Sequence, residues 1–308
     1  MKILKNLCLT TALTAFSLQA FAQAEEAQPQ LSFNAIEVGN GLYMLQGQGG
    51  FTGGNLGLSV GEDGVVMIDD SMPPMLQIMQ DAIASITDKP VDFLINTHVH
   101  GDHTGNNENM AKTGTRIVAH ENLRKHLLEK GVQTQDGMKP APKLALPVIT
   151  FSDAMTFHLN NNDAYVFHAA KAHTDGDAII KFKQSNVIHT GDIFFNGMFP
   201  FIDLNSGGSV SGFIAAQKKI LQHTDNETKI IPGHGPLATK ADLVKAVAML
   251  EDAQKLVISA MQNGASEEDV VKANPLQKYH ADWNWNFITT ERMTKTIYQD
   301  AKKLEKDE

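Results

Sequence analysis

Four side chains able to hold a metal ion fall within six residues of one another in the run His98-Val99-His100-Gly101-Asp102-His103. Alternate residues of an extended segment point the same way, so His98 and His100 share a face, while Asp102 and His103 add a carboxylate and a third imidazole. Imidazole nitrogen and carboxylate oxygen together suit Zn²⁺ in tetrahedral or slightly expanded geometry. One short run cannot fill two metal sites. Three further segments, each following a strand-like stretch and flanked by glycine, offer the remaining ligands: Ala172–Asp177 with His173, His189–Asp192 with Asp192, and Ile231–Pro236 with His234. The single cysteine, Cys8, lies in the N-terminal leader, which leaves His and carboxylates to bind metal and removes thiolate as a nucleophile. Of the other histidines, His189 alone has the glycine and acidic neighbours that suit a supporting role; His120, His126, His158, His168, His223 and His280 read as ordinary surface or interior residues.

The elements that must position these groups are legible in the periodicity. From Phe33 to Asp69, short β-prone groups (Leu42–Leu45, Leu56–Val60, Val65–Ile68) alternate with glycine turns and read as antiparallel strands. Leu76, Met79, Ile83 and Ile86 recur at helical spacing after Pro73-Pro74, and the buried strand Val91–Ile95 leads into the His run. A strand at Thr115–Ala119 and a helix near Glu121–Glu129 follow, then a Pro- and Gly-rich loop, Gly131 to Pro147, that reads as a mobile lid or substrate-facing segment. Strands are expected at Met155–Leu159, Ala164–His168, Ala178–Lys183, Val187–Thr190 and Lys229–Ile231, and helices at Phe213–Leu221, Leu243–Met261 and Trp285–Leu304. Strands followed by helices in both halves, without an internal repeat or linker, predict an α/β (α+β) chain folded as one four-layer αββα sandwich over residues 31–308.

The first residues are set apart from that fold. Lys2 and Lys5 precede the apolar stretch Leu7 to Ala20, with small residues at Ala20, Ala22 and Ala24, the pattern of a secretory signal peptide spanning residues 1–24 and cut after Ala22 or Ala24. The apolar run is shorter than the roughly 20 residues a membrane span needs, so the mature protein is expected to be periplasmic or secreted, with no membrane anchor. The net charge of −9 gives no basic patch for nucleic acid, and a small-molecule substrate is the expected partner. The glycine-rich segment Gly47–Asn55 lacks the Gly-Lys-Ser/Thr ending of a phosphate loop and reads as a hairpin loop near the site that presents Phe51 to substrate. Phe194, Phe195, Met198, Phe199 and Phe201 read as pocket wall or core, and Trp283 and Trp285 as anchors of the last helix.

In its order and spacing, the set Asp69, His98-x-His100-x-Asp102-His103, His173, Asp192 and His234 resembles the metallo-β-lactamase superfamily across about Val38 to Pro236. That superfamily includes zinc β-lactamases, glyoxalase II-type thiolesterases, lactonases and phosphodiesterases. The resemblance implies two zinc ions, the first held by His98, His100 and His173, the second by Asp102, His103 and His234, with Asp192 bridging. It implies a metal-bridging hydroxide as nucleophile, Asp102 as a catalytic group that holds it or moves its proton, and Asp69 as the carboxylate behind the ligands that orients them, a role for which Asp70 competes. Asp192 departs from the zinc β-lactamases, which generally carry Cys or Ser near this position, and matches the thiolesterase and lactonase branches. The stretch from Phe194 to Ser211 contains no basic residue to clamp a β-lactam carboxylate. The expected reaction is therefore opening of an amide, ester or lactone, β-lactamase-like, with β-lactam turnover a side activity. The alternatives are a glyoxalase II-type thiolesterase or lactonase and a non-hydrolytic iron- or metal-binding protein. Oxygen-reducing relatives usually carry an added flavin domain, for which the stretch after Pro236 leaves no room.

Overall fold

Apolar residues facing alternately up and down along single strands build the layers. In β4 (Gly64–Ile68), Val66 and Ile68 enter one apolar core while Val65 and Met67 enter another, so both faces of the strand are covered. In the computed structural model, which describes residues 30–134, 136–261 and 264–307, that pattern resolves into two stacked sheets. The leader expected at residues 1–24 lies outside the described residues.

The first sheet has seven strands in the order β1 (Ser32–Gly39), β2 (Leu42–Gln48), β3 (Leu56–Gly61), β4, β5 (Phe93–Ile95), β6 (Arg116–His120) and β9 (Ile149–Phe151). Its first four strands are antiparallel neighbours, and β4, β5, β6 and β9 pair in parallel. Parallel pairing needs crossovers, supplied by α1 (Leu76–Ala84), α2 (Gly101–Thr104), α3 (Asn107–Lys112) and α4 (Glu121–Lys130). Between α4 and β9, the segment expected as a loop folds into a hairpin, β7 (Val132–Thr134) and β8 (Gly137–Lys139). The second sheet runs β10 (Ala154–Phe157), β11 (Ala164–Ala169), β12 (Asp177–Phe182), β13 (Val187–His189) and β14 (Lys229–Ile231), with β13 and β14 parallel around the crossover helix α5 (Val210–Gln222). The chain ends in α6 (Lys240–Ala260), α7 (Glu267–Ala273), α8 (His280–Trp283) and α9 (Thr290–Asp307).

Three cores separate four layers. One lies between the sheets (Ile68, Ile95, Val166, Ile180, Ile231), one between the first sheet and α1 (Leu58, Met67, Met79, Ile83), and one between the second sheet and the C-terminal helices (Ile179, Phe213, Leu250, Met293). This is the αββα sandwich the sequence predicts. Among the described residues no helix is long and apolar enough to cross a membrane.

The last helix differs from its expected start at Trp285. It begins at Thr290, whose N–H donates to the Asn284 side-chain oxygen at 3.0 Å, after the β-branched pair Ile288-Thr289. Trp283 is buried beside Met293 and Ile297 and anchors the helix as expected, whereas Trp285 stands in the connector and faces a cavity.

Candidate metal centre

The loops leaving β4, β5, β11, β13 and β14 all open at one edge of the sandwich, and each carries one or more of the polar residues singled out above. Two groups converge there with ligand atoms within 4.8 Å of one another: His98, His100, His173 and Asp192, and Asp102, His103 and His234. All seven residues proposed from the sequence as ligands are thus in one place. Each group draws on both sheets.

Hydrogen bonds behind the imidazoles decide which nitrogen faces inward. His103 Nδ1 donates to Asp69 Oδ2 at 2.7 Å, His173 Nδ1 donates to the Phe201 carbonyl at 2.8 Å, and His100 Nε2 donates to Asp203 Oδ2 at 3.0 Å. The Thr97 hydroxyl donates to Asp69 at 2.7 Å and so accepts from His98 Nδ1 at 3.0 Å. Four rings are thereby fixed in the tautomer that aims a lone pair at the centre. His173 Nε2 and His100 Nδ1, both lone-pair atoms, then stand 2.9 Å apart. His98 Nε2, His103 Nε2 and Asp192 Oδ1 are buried without a hydrogen-bond partner.

Such convergence of unpaired acceptors fits a cation. Two ligand atoms, each about 2.1 Å from a tetrahedral zinc, stand about 3.4 Å apart. Asp192 Oδ2 lies 3.7 Å from both His98 Nε2 and His173 Nε2, and its Oδ1 lies 3.2 Å from His103 Nε2 and 3.4 Å from His234 Nε2. One carboxylate therefore faces each group with a different oxygen. Asp102 Oδ2 completes the second group, 3.6 Å from both His103 Nε2 and His234 Nε2.

The electrostatics agree. Burial, reinforced by neighbouring imidazoles, holds His98 well below the usual histidine range and His173 down at about 4, so both are neutral ligands at pH 7. Burial also opposes charge on His103, yet Asp192, Asp102 and Asp69 outweigh it and raise its affinity for a proton, as they would for a metal cation in the proton's place. Against its own burial, Asp192 is kept well down in the ionised range by His234, His103 and His98.

Two glycines make room. A Cβ on Gly233 would come within 2.1 Å of Asp192 Oδ1, and one on Gly54 within 2.3 Å of His103 Cε1. Asp69 itself adopts a left-handed backbone (φ 58°), tolerable for Asp, with its N–H donating to the Ile95 carbonyl at 3.0 Å. It is fully buried and takes the place behind the ligands that sequence left open between it and Asp70. Asp70 turns away to accept from Asn106 N at 3.0 Å, and burial raises its pKa. His189 is buried but binds Asn55 and Gly191 backbone rather than a ligand.

Sequence reasoning missed Asp203 and Thr97. Thr97 was adjacent to the motif and carried the signal of a hydroxyl beside His98; Asp203 lies more than a hundred residues from His100, and nothing in its loop sets it apart.

Beside the centre is a cavity of about 1290 Å³. Phe51, Phe195, Phe201, Trp285 and Phe287 form much of its wall, with Gln133, Thr134 and Asp136 of the β7–β8 hairpin over it. Phe51 and the hairpin segment therefore face the cavity, as the sequence suggested. Phe194 and Phe199 are core instead.

A four-layer αββα sandwich with two His/Asp groups at the loop edge defines a metal-dependent hydrolase fold. The sequence matches the metallo-beta-lactamase superfamily over residues 49–243, and the chain belongs to that family. It is 24% identical over 156 residues to a hydroxyacylglutathione hydrolase of Polaromonas sp. (50% of this chain, 52% of the relative) and 31% identical over 120 residues to a UPF0173 metal-dependent hydrolase of Pyrococcus furiosus (38% and 50%). The chain spans about half the length of these curated relatives. Among solved structures it resembles a metallo-beta-lactamase from Pontibacter korlensis (TM-score 0.58, 17% identity, 72% of this chain and 100% of that one). It also resembles the inverting sec-alkylsulfatase Pisa1 from Pseudomonas sp. (TM-score 0.64, 16% identity, 87% and 50%). At these identities the likeness is one of fold.

Proposed function

We propose that this protein is an exported hydrolase that holds two zinc ions and opens an amide, ester or lactone bond in a small molecule. The observation that carries the reading is Asp192, whose two oxygens face the two ligand groups separately. When bound, two zinc ions supply Lewis acidity and a water whose pKa falls from about 16 to about 7. The chain does the rest. Asp69, Asp203, Thr97 and the Phe201 carbonyl hold four imidazoles with lone pairs inward. Asp102 Oδ2, on the cavity side of the centre, is placed to orient the attacking water and to carry its proton to the leaving group. The aromatic wall limits water around the scissile bond.

An aspartate at position 192, able to face two ions, also favours ester, thiolester or lactone opening over β-lactam opening as the main reaction, in keeping with the hydroxyacylglutathione hydrolase relative. Metal analysis of protein purified from the periplasm should give two zinc ions per chain, and N-terminal sequencing should start after residue 22 or 24. A panel of lactones, thiolesters and the β-lactam nitrocefin should show turnover that His100→Ala and Asp102→Ala each reduce by at least a hundredfold. Activity that survives either substitution rules the mechanism out.

A further inference from the structure

The wall of the cavity carries information about what it receives. From His234 an unbroken series of ring contacts runs through Phe195 (centroids 5.0 Å apart, 19° between planes), Trp285 (6.3 Å), Phe287 (5.6 Å) and Phe201 (5.5 Å) to His100 (5.5 Å). The arc therefore begins on an imidazole of one ligand group and ends on an imidazole of the other, and any substrate arm leaving the centre on this side runs along aromatic faces. Phe51 stacks on His234 at 5.9 Å from the opposite loop. Phe51 is 60% exposed and Phe287 48%, which puts apolar rings at the mouth as well as inside.

Charge is distributed just as unevenly. No lysine or arginine lines the cavity among the described residues. Apart from the ligand groups, the one ionisable residue among the described residues that line it is Asp136, which already pairs with Lys139 at 2.6 Å. The guanidinium of Arg292 is engaged behind the wall: it lies 4.1 Å from the Phe287 ring centroid and 5.2 Å from that of Phe201, and donates to the Phe287 carbonyl at 3.0 Å. A carboxylate or phosphate on the substrate's arm would meet no free cation and would sit near Asp102, Asp192 and Asp136. Such a charge is disfavoured when buried unpaired. The volume, about 1290 Å³, exceeds the roughly 300–1,000 Å³ of ordinary small-molecule sites and accommodates a long arm.

Trp285 and Phe287 lie outside residues 49–243, the part that matches the family. They sit in the connector between α8 and α9, held by Trp285 Nε1 donating to the Phe199 carbonyl at 2.8 Å and by the Asn284 bond to Thr290. The family core supplies the metal ligands, and the connector between α8 and α9 adds Trp285, Asn286 and Phe287 to the cavity wall.

We propose that the substrate is a neutral carboxylic ester or lactone with an uncharged hydrocarbon acyl arm, and that Trp285 and Phe287 set this preference. The inference rests on the hydrolase reading above. Hydrolysis adds one water across the acyl C–O bond, giving a carboxylic acid and an alcohol, or a single hydroxy acid from a lactone.

The test uses the zinc-loaded full chain with p-nitrophenyl acetate, butanoate, hexanoate and octanoate. The value of kcat/KM should rise roughly fourfold per methylene, the factor for moving a CH₂ from water to an apolar site. Phe287→Ala, at a half-exposed position, should flatten that slope to less than twofold per methylene, mainly through KM, and Trp285→Ala should do the same. A second readout needs no turnover. Calorimetric titration with the product acids should show hexanoate binding at least tenfold more tightly than either acetate or the dicarboxylate adipate. Ester turnover with no dependence on chain length, or adipate binding as tightly as hexanoate, overturns the proposal and leaves the hydrolase reading intact. If no ester, thiolester or lactone turns over, the hydrolase reading fails, and the titration alone decides whether the cavity selects an uncharged arm.

Discussion

Replacing Asp203 by Asn separates metal positioning from folding. Asp203 Oδ2 accepts from His100 Nε2 at 3.0 Å, while Oδ1 accepts from the N–H groups of Asn205 and Ser206 and caps the short turn that follows. An Asn side chain keeps its one oxygen for that cap and turns its NH2, a donor, towards the imidazole N–H, so the bond to His100 is lost. A hydrogen bond to a charged partner contributes about 1.5–3 kcal/mol, and that is the loss. At about 1.4 kcal/mol per decade, this is a roughly tenfold to hundredfold weaker hold on one zinc ion, the range found when partners of metal-bound histidines are removed. Competition against a chromophoric chelator should show one of the two ions released at least roughly tenfold more readily, the other unchanged, with the thermal midpoint of the metal-free protein within about 2 °C of wild type. Wild-type affinity for both ions in Asp203→Asn would show that Asp203 does not orient His100, and equal weakening of both would break the assignment of His100 to one group.

Other outcomes follow from the same geometry. Gly233→Ala should lower zinc stoichiometry below two per chain, because its Cβ would fall 2.1 Å from Asp192 Oδ1; full occupancy by metal analysis would contradict the close approach. Loading zinc at a thousand times its dissociation constant should stabilise the protein by about 4 kcal/mol per site and about 8 kcal/mol for two, near 16 °C in a chain of this size at about 2 °C per kcal/mol, and a chelator should reverse the shift. Burial holds His189 at about 4 against an ordinary 6.5, so the unfolded chain binds its proton more readily and stability falls as pH drops from 6.5 towards 4. His189→Gln should reduce the pH slope of the metal-free protein in that window by up to one proton, a total of about 3 kcal/mol; an unchanged slope would place its pKa elsewhere.

Much of this was legible in the sequence because the relevant signals are local. The run His98–His103 and the three glycine-flanked loops after apolar strands carried all seven ligand positions, and short β-prone groups such as Val65–Ile68 marked strands. What was hidden depends on contacts across the fold. Asp203 reaches His100 across 103 positions, and no composition cue distinguishes it from an ordinary loop aspartate. Trp285 was expected at the start of the last helix, but the helix begins six residues after Asn284, whose side chain accepts from Thr290 N–H, and the indole lines the cavity. The hairpin at Val132–Lys139 is stabilised by pairing that its short, polar strands do not announce.

Each ligand group takes residues from both sheets: His98, His100, Asp102 and His103 leave the first, His173, Asp192 and His234 the second. A chain divided in the Ser152-Asp153 turn between β9 and β10 would give one fragment with four of the ligands and another with three, neither containing a complete group. Zinc would then act as a cross-linker, favouring the reunited pair over either half. Catalysis by the mixed fragments would report their docking, making the seam between the sheets a natural place to build a zinc-gated, self-assembling enzyme.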